Sequence, residues 1–115
     1  MARRRSDLLL GTLEMMVLKT LVAESTHGWG LSLRIEQITS GVFQINQGSL
    51  YPALQRMLRK GWVRSEWRSS ENNRRARFYL ITASGRRRLQ QEMAEWEKVT
   101  GAVNQVLALD APEVR

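Results

Sequence analysis

Gln47-Gly48-Ser49-Leu50-Tyr51-Pro52-Ala53-Leu54-Gln55-Arg56-Met57-Leu58-Arg59-Lys60 is the stretch on which the reading of this chain turns. Leu50, Leu54 and Met57-Leu58 recur at gaps of three and four, which predicts a helix over about 47–60 with one buried stripe. On this reading Pro52 falls in the first turn, where no intrahelical donor is lost. Gly61 suits the left-handed position just past the helix end. The other face is polar. Tyr51, Gln55 and Arg59 lie on one exposed line with Arg56 beside it, and Gln47 and Ser49 stand at the start, where free backbone amides favour a phosphate. A helix that buries one stripe and presents hydrogen-bonding side chains on the other can enter the major groove of B-DNA.

Downstream the period changes from helical to alternating. Trp62–Arg68 predicts a strand with Val63, Ser65 and Trp67 on its inner face. Ser69–Asn73 is a polar loop of hairpin length. Arg75–Ile81 predicts the returning strand, with Ala76, Phe78 and Leu80 inward and Arg75, Arg77 and Tyr79 outward. Thr82 is a natural cap for a long last helix. Leu89, Met93, Trp96, Val103 and Leu107 form a seam with gaps near four and three, and Thr100 fills the missing place, a register typical of coiled coils. Gly101 weakens that helix by about 1 kcal/mol relative to Ala. Pro112 marks its outer limit, and residues 111–115 read as a frayed tail.

Upstream, a first helix is expected over about Asp7–Ala23, capped by Ser6 or Asp7. Leu10, Leu13, Val17 and Leu21 form one stripe and Met15, Leu18 and Val22 a second, so the helix is buried on more than one side. Ser25-Thr26-His27-Gly28 reads as a turn. A second helix follows from Gly28 or Trp29 to Thr39, with Leu31, Ile35 and Ile38 inward, stopped by Ser40-Gly41. The fold class is therefore mainly α with a small β-hairpin: a winged helix-turn-helix over 1–81 and a C-terminal dimerisation helix over 82–110.

The bulk numbers agree with one globular domain. The chain has 115 residues, 43% hydrophobic and 25% charged, ordinary proportions for a folded domain. A domain this small gains from extra burial by self-association. Without cysteine it forms no disulfide and no thiolate metal site. The basic start Met1-Ala2-Arg3-Arg4-Arg5 is followed by Leu8-Leu9-Leu10, but Gly11, Thr12 and Glu14 interrupt any signal-peptide core. No run reaches membrane-spanning length, so a cytoplasmic protein without a membrane partner is expected.

Net charge is +7, from 18 Lys+Arg against 11 Asp+Glu. Between Gln55 and Arg88 stand eleven basic residues and two acids, Glu66 and Glu71. Such a block within one ordered stretch is the footprint of a polyanion-binding surface, and equally of a solvated one. Gln55 and Arg56 are candidates for base reading, because Gln pairs in bidentate fashion with adenine and Arg with guanine. Tyr51, Ser49 and Lys60 are candidate phosphate contacts, which position without reading sequence. Arg68, Asn72, Asn73, Arg74, Arg75 and Arg77 surround one hairpin, whose tip can follow the backbone or place an arginine in the minor groove. Arg86, Arg87 and Arg88 read as a solvated helix face or a further contact.

The same residues resemble the PadR family of bacterial transcriptional regulators, in its short form with a single C-terminal helix. Gly48-Ser49-Leu50-Tyr51-Pro52-Ala53-Leu54 is similar to the family's signature at the start of the recognition helix. His27-Gly28-Trp29-Gly30 is similar to the opening of its second helix, with Trp29 in place of the usual Tyr. Gly61-Trp62-Val63, Arg74–Tyr79 and Leu80–Gly85 fit the wing and its exit, with Ile81 standing where many members pass directly from Leu to Thr. The resemblance covers about Leu10–Trp96. It implies a homodimeric repressor whose first and last helices form the interface, through Leu13, Val17, Leu89, Met93, Trp96, Val103 and Leu107, and a pseudo-palindromic operator of double-stranded DNA. It also implies a small aromatic or cationic effector held between the long helices, for which Trp96 is the residue here; packing of the dimer seam is the plainer role for that ring. Trp29, Trp62 and Trp67 read as core.

Other function classes fare worse. His27 is the only histidine, and no carboxylate pair or glycine-rich phosphate loop stands at a recognisable spacing. No enzyme, cofactor or metal is expected. The rival is a winged-helix module that binds proteins, with the last helix as its partner surface. Single-stranded RNA binding is disfavoured because the wing shows no evident row of exposed aromatics.

Overall fold

The computed structural model describes the backbone of residues 5–112 and the side chains of residues 11–112. Helix α1 (Arg5–Ala23) leads through a short strand β1 (Thr26–His27) into α2 (Gly28–Ile38) and α3 (Gln47–Arg59). Strands β2 (Val63–Ser69) and β3 (Arg75–Ile81) form the wing, and α4 (Ala83–Leu107) closes the chain. Ser6 and Asp7 lie inside α1 rather than at its cap, and their side chains, with that of Leu10, are outside the described residues. The expected tail also lies outside them from residue 113 onward.

The wing is a three-stranded sheet, not a lone hairpin. Thr26 and His27 pair antiparallel with Tyr79 and Phe78, so β3 is the central strand in the order β1-β3-β2. The turn read at Ser25–Gly28 hides this strand because two residues are too few to show alternation. His27 then caps α2: its Nδ1 accepts from the Gly30 amide at 3.0 Å.

Apolar stripes from every element meet in one core. Leu13, Val17, Leu18 and Leu21 come from α1, Leu31 and Ile35 from α2, and Leu50, Ala53, Leu54 and Met57 from α3. Val63, Tyr79 and Leu89 complete it. Each of the larger side chains contributes about 1.5–3 kcal/mol by leaving water. Leu13, Val17 and Leu89, expected at a subunit contact, are thus buried by the chain itself and need no partner. Ile38, expected inward, is the final residue of α2 and is exposed, whereas Ile35 one turn earlier is buried.

Sequence chemistry sets the ends of α3. Asn46 Oδ1 accepts from the Ser49 amide at 2.8 Å, which satisfies one of the orphan donors of the first turn. Gly61 adopts φ +75°, with its amide on Leu58 O and that of Trp62 on Met57 O; this is a Schellman ending. Pro52 lies one turn inside the helix, not in its first turn. Its missing N–H leaves the carbonyl of residue 48 without an i+4 donor.

The exit from the wing is held on the end of α3. The Thr82 side chain accepts from the Gly85 amide and donates to Gly61 O at 2.6 Å. A Cβ on Gly85 would overlap the Trp62 carbonyl oxygen, so α4 begins in contact with the turn that ends α3. Helix α4 spans about 37 Å at 1.5 Å per residue, and the molecule measures 69 × 28 × 25 Å because its C-terminal half extends beyond the body. It ends at Leu107, short of the expected 110.

Candidate nucleic-acid interface

Register decides which wing side chains share a face. Residues directly opposite in an antiparallel pair point the same way, and Val63 pairs with Ile81, Ser65 with Tyr79, Trp67 with Arg77 and Ser69 with Arg75. That face begins in the core at Val63 and Tyr79 and runs out into solvent at Trp67, Arg77 and Arg75. Tyr79, expected outward, is therefore buried, and Trp67, expected in the core, is 59% exposed. Burial also raises the Tyr79 hydroxyl above the usual phenol range.

This face borders α3 across a cleft of about 470 Å³. Tyr51 and Gln55 line the helix side, Trp67, Arg75, Ala76, Arg77 and Tyr79 the wing side, and His27, Gly28 and Trp29 the floor between. The polar edge of the recognition helix and the arginine-bearing strand thus front one hollow on one side of the molecule. Trp29, another residue read as core, is 57% exposed here, and Tyr51 is 47% exposed. Arg75 lies over the Trp67 ring at 5.2 Å and Arg77 over Tyr79 at 5.9 Å. Arg77 Nε also donates to Ser65 Oγ at 2.8 Å. Such contacts hold a guanidinium in place while leaving its charge uncancelled.

The opposite wing face is partly neutralised from within, one carboxylate standing against two guanidiniums. Glu66 sits between Arg64 and Arg68, ion-paired with both, and its hydrogen bond from Arg68 holds its carboxyl below the usual carboxylate range. Arg68 also covers Phe78 at 5.2 Å and reaches Ser25 Oγ at 3.2 Å. It belongs to this far face and not to the cleft, contrary to the sequence expectation, because parity along β2 alternates it with Trp67.

Three further expected contacts are engaged elsewhere. Arg56 turns toward α1, 3.9 Å from Glu14, with its Nε and Nη2 shielded from solvent. Burial raises the Glu14 carboxyl above its usual range, outweighing the opposing attraction of Arg56. Lys60 lies over Trp62 at 4.8 Å, and Arg88 lies over the same ring at 4.8 Å. Gln47 donates to Ser32 Oγ at 2.8 Å and ties α3 to α2. The Ser49 amide is already taken by Asn46, though the residue is exposed. Arg59, Asn72, Asn73 and Arg74 are exposed, with Asn73 at φ +57° in the wing turn.

Sequence reasoning missed Trp29 and Trp67 as surface groups. Alternation along β2 gives Trp67 the inward parity, so the sequence carried no signal that the core ends before it. Among the described residues no group of His, Cys, Asp and Glu is arranged to hold a metal ion, and no helix is long and apolar enough to cross a membrane.

Comparison with known proteins agrees with this architecture. The profile of the transcriptional regulator PadR-like family matches residues 17–91. A transcriptional regulator from Clostridium thermocellum superposes with TM-score 0.79 at 26% identity, covering 90% of this chain and 97% of that one. A PadR-like transcriptional regulator from Bacillus cereus gives 0.78 at 26% identity, covering 90% and 99%. A PadR family regulator from Eggerthella lenta gives 0.72 at 28% identity, covering 90% and 88%. The matched span runs from α1 through the wing into α4 and includes the whole cleft; this chain belongs to the PadR-like family of transcriptional regulators.

Proposed function

We propose that the protein is a homodimeric, sequence-specific repressor that binds a pseudo-palindromic operator through α3 and the wing and is released by a ligand or signal. The observation that carries this reading is the single cleft shared by Tyr51 and Gln55 of α3 and by Arg75 and Arg77 of the wing. Gln55 is the base reader, since Arg56 is turned away, and Arg59 stands on the same exposed side of α3; Ser49, exposed at the helix start, is a phosphate contact. Arg74, Asn72 and Asn73 present the wing tip to the backbone or the minor groove.

Exposed apolar side chains on α4 support a second copy there. From Trp96 onward this helix carries exposed Trp96, Val99, Val103, Val106 and Leu107. A stripe of that length on one face of a projecting helix favours burial by another helix. Met93, half-buried against the core, stands at its root. A hollow of about 100 Å³ beside Trp96 is also lined by Gly11, Thr12, Met15, Glu92, Glu95 and Val99. It is smaller than the roughly 300 Å³ of ordinary ligand pockets, so an effector would need the partner's helix to close the site. Glu92 is ion-paired with Arg88, which leaves the Glu95 carboxylate and the indole to suit a cationic aromatic compound.

The test is duplex binding as a function of salt, on sites selected from random sequence. The expected result is a two-fold-related site bound with a steep salt slope, because each neutralised phosphate releases counterions. Salt-insensitive or sequence-blind binding would remove the reading and favour a protein-binding module. Val103→Glu is expected to yield monomers by sedimentation and to lose operator affinity at the same time.

A further inference from the structure

The exposed rings of the cleft have no task in reading bases. Paired bases are stacked on one another, so a ring that faces a duplex meets sugars and phosphates rather than base faces. With α3 in the major groove and the wing toward the next minor groove, one sugar–phosphate strand passes between the two elements. The cleft lies there, and its lining has two chemistries. Trp29, Tyr51 and Trp67 offer apolar ring surface, and Arg75 and Arg77 offer positive charge.

The rings are preorganised. Arg75 covers one face of Trp67. His27, fixed by its hydrogen bond to the Gly30 amide, stacks on Trp29 with ring centres 6.2 Å apart. Tyr51 is seated against Gly28, where even a methyl group would stand 3.2 Å from the phenol oxygen. Two indoles held at the surface by neighbouring groups are a shaped apolar wall.

We propose that this cleft seats one deoxyribose–phosphate strand, and that Trp29 and Trp67 select deoxyribose over ribose there; the inference rests on the duplex-binding reading above. Deoxyribose turns an apolar CH₂ edge at C2′ toward an indole, whereas ribose turns a hydroxyl. Against a ring face that hydroxyl loses water and finds no acceptor. Guanidinium groups offer donors only, and these are directed to phosphate. One stranded hydroxyl at such a contact corresponds to about a tenfold loss of affinity.

The test uses the full chain and a duplex of roughly 30 base pairs that carries a site selected from random sequence, long enough for two half-sites one turn apart. A second duplex of the same sequence carries isolated ribonucleotides scattered along both strands. Wild-type protein is expected to bind the second about tenfold more weakly. Trp67→Ala and Trp29→Ala are each expected to narrow that ratio, the double variant to bring it near one, and Trp67→Phe, which keeps a ring, to preserve most of it. Equal binding of both duplexes by the wild type overturns the inference alone. So does an unchanged ratio in the double variant, since a duplex reshaped by ribose would be discriminated by every variant alike. Failure to bind the all-DNA duplex overturns the duplex reading, and this inference with it.

Discussion

The two faces of the wing carry arginines in equal number and different states. On one, Arg64 and Arg68 share the single carboxylate of Glu66, which cancels half of their charge. On the other, Arg75 and Arg77 rest on aromatic rings and keep their charge. The difference teaches that arginines on one ribbon are not equivalent: internal anions decide how much charge each face offers outward. The same contrast divides α3, where Arg56 turns to Glu14 while Arg59 stays exposed.

The largest expected effect breaks the uncancelled side. Arg75→Ala with Arg77→Ala should weaken duplex binding by about a hundredfold at moderate salt and flatten the salt slope by roughly 2, as befits two phosphate contacts. Titrations at several salt concentrations check both. An unaltered slope would leave the cleft face without a role.

Next comes the committed arginine of α3. Arg56→Ala should cost about 1 kcal/mol of folding stability by stripping a cation from a half-buried carboxylate and losing its stem's packing. Discrimination among operator variants should stay as in the wild type. Denaturant melts and competition binding separate the two effects; relaxed base preference would return Arg56 to the readout.

A smaller and opposite effect is expected at its partner. Burial raises the Glu14 pKa, so the folded state holds this proton more tightly than the unfolded chain. Stability is therefore highest below the ordinary carboxylate range and falls as pH rises through the raised value. Glu14→Gln should remove that decline and leave stability at neutral pH equal to or slightly above wild type, by less than about 1 kcal/mol. Thermal melts across the acid range show it; a strong loss at neutral pH would mean the ion pair is net stabilising.

The smallest effect belongs to the partly neutralised face. Arg68→Ala should change duplex affinity and stability by less than about 0.5 kcal/mol each, as for exposed ion pairs generally.

How far the sequence discloses this follows from local period. The helices, the Asn46-to-Gly61 limits of α3 and the Thr82 cap rest on neighbours within a turn, and those the chain states openly. Strand faces do not. Whether Tyr79 or Phe78 points inward depends on register with β2, and β1 exists only because β3 offers it an edge. The fates of Arg56 and Arg68 depend on Glu14, far away in sequence, and on Glu66, two residues away but reached only along one face. Trp67 has the inward parity assigned to it, but its face leaves the core after Ser65 and opens into the cleft, a boundary that only the packed structure reveals. Leu13, Val17 and Leu89 fit a helical seam equally well inside one chain or between two, and only packing separates the cases.

The most direct measurement uses the absence of cysteine. Trp67→Cys and Arg68→Cys each create a single thiol, adjacent in the chain and on opposite wing faces. Each is labelled with a short photoactivated crosslinker and irradiated with duplex DNA. Crosslinks from position 67 and almost none from position 68 are the expected result. Equal yields, or a preference for position 68, would contradict the assignment of the cleft face to DNA.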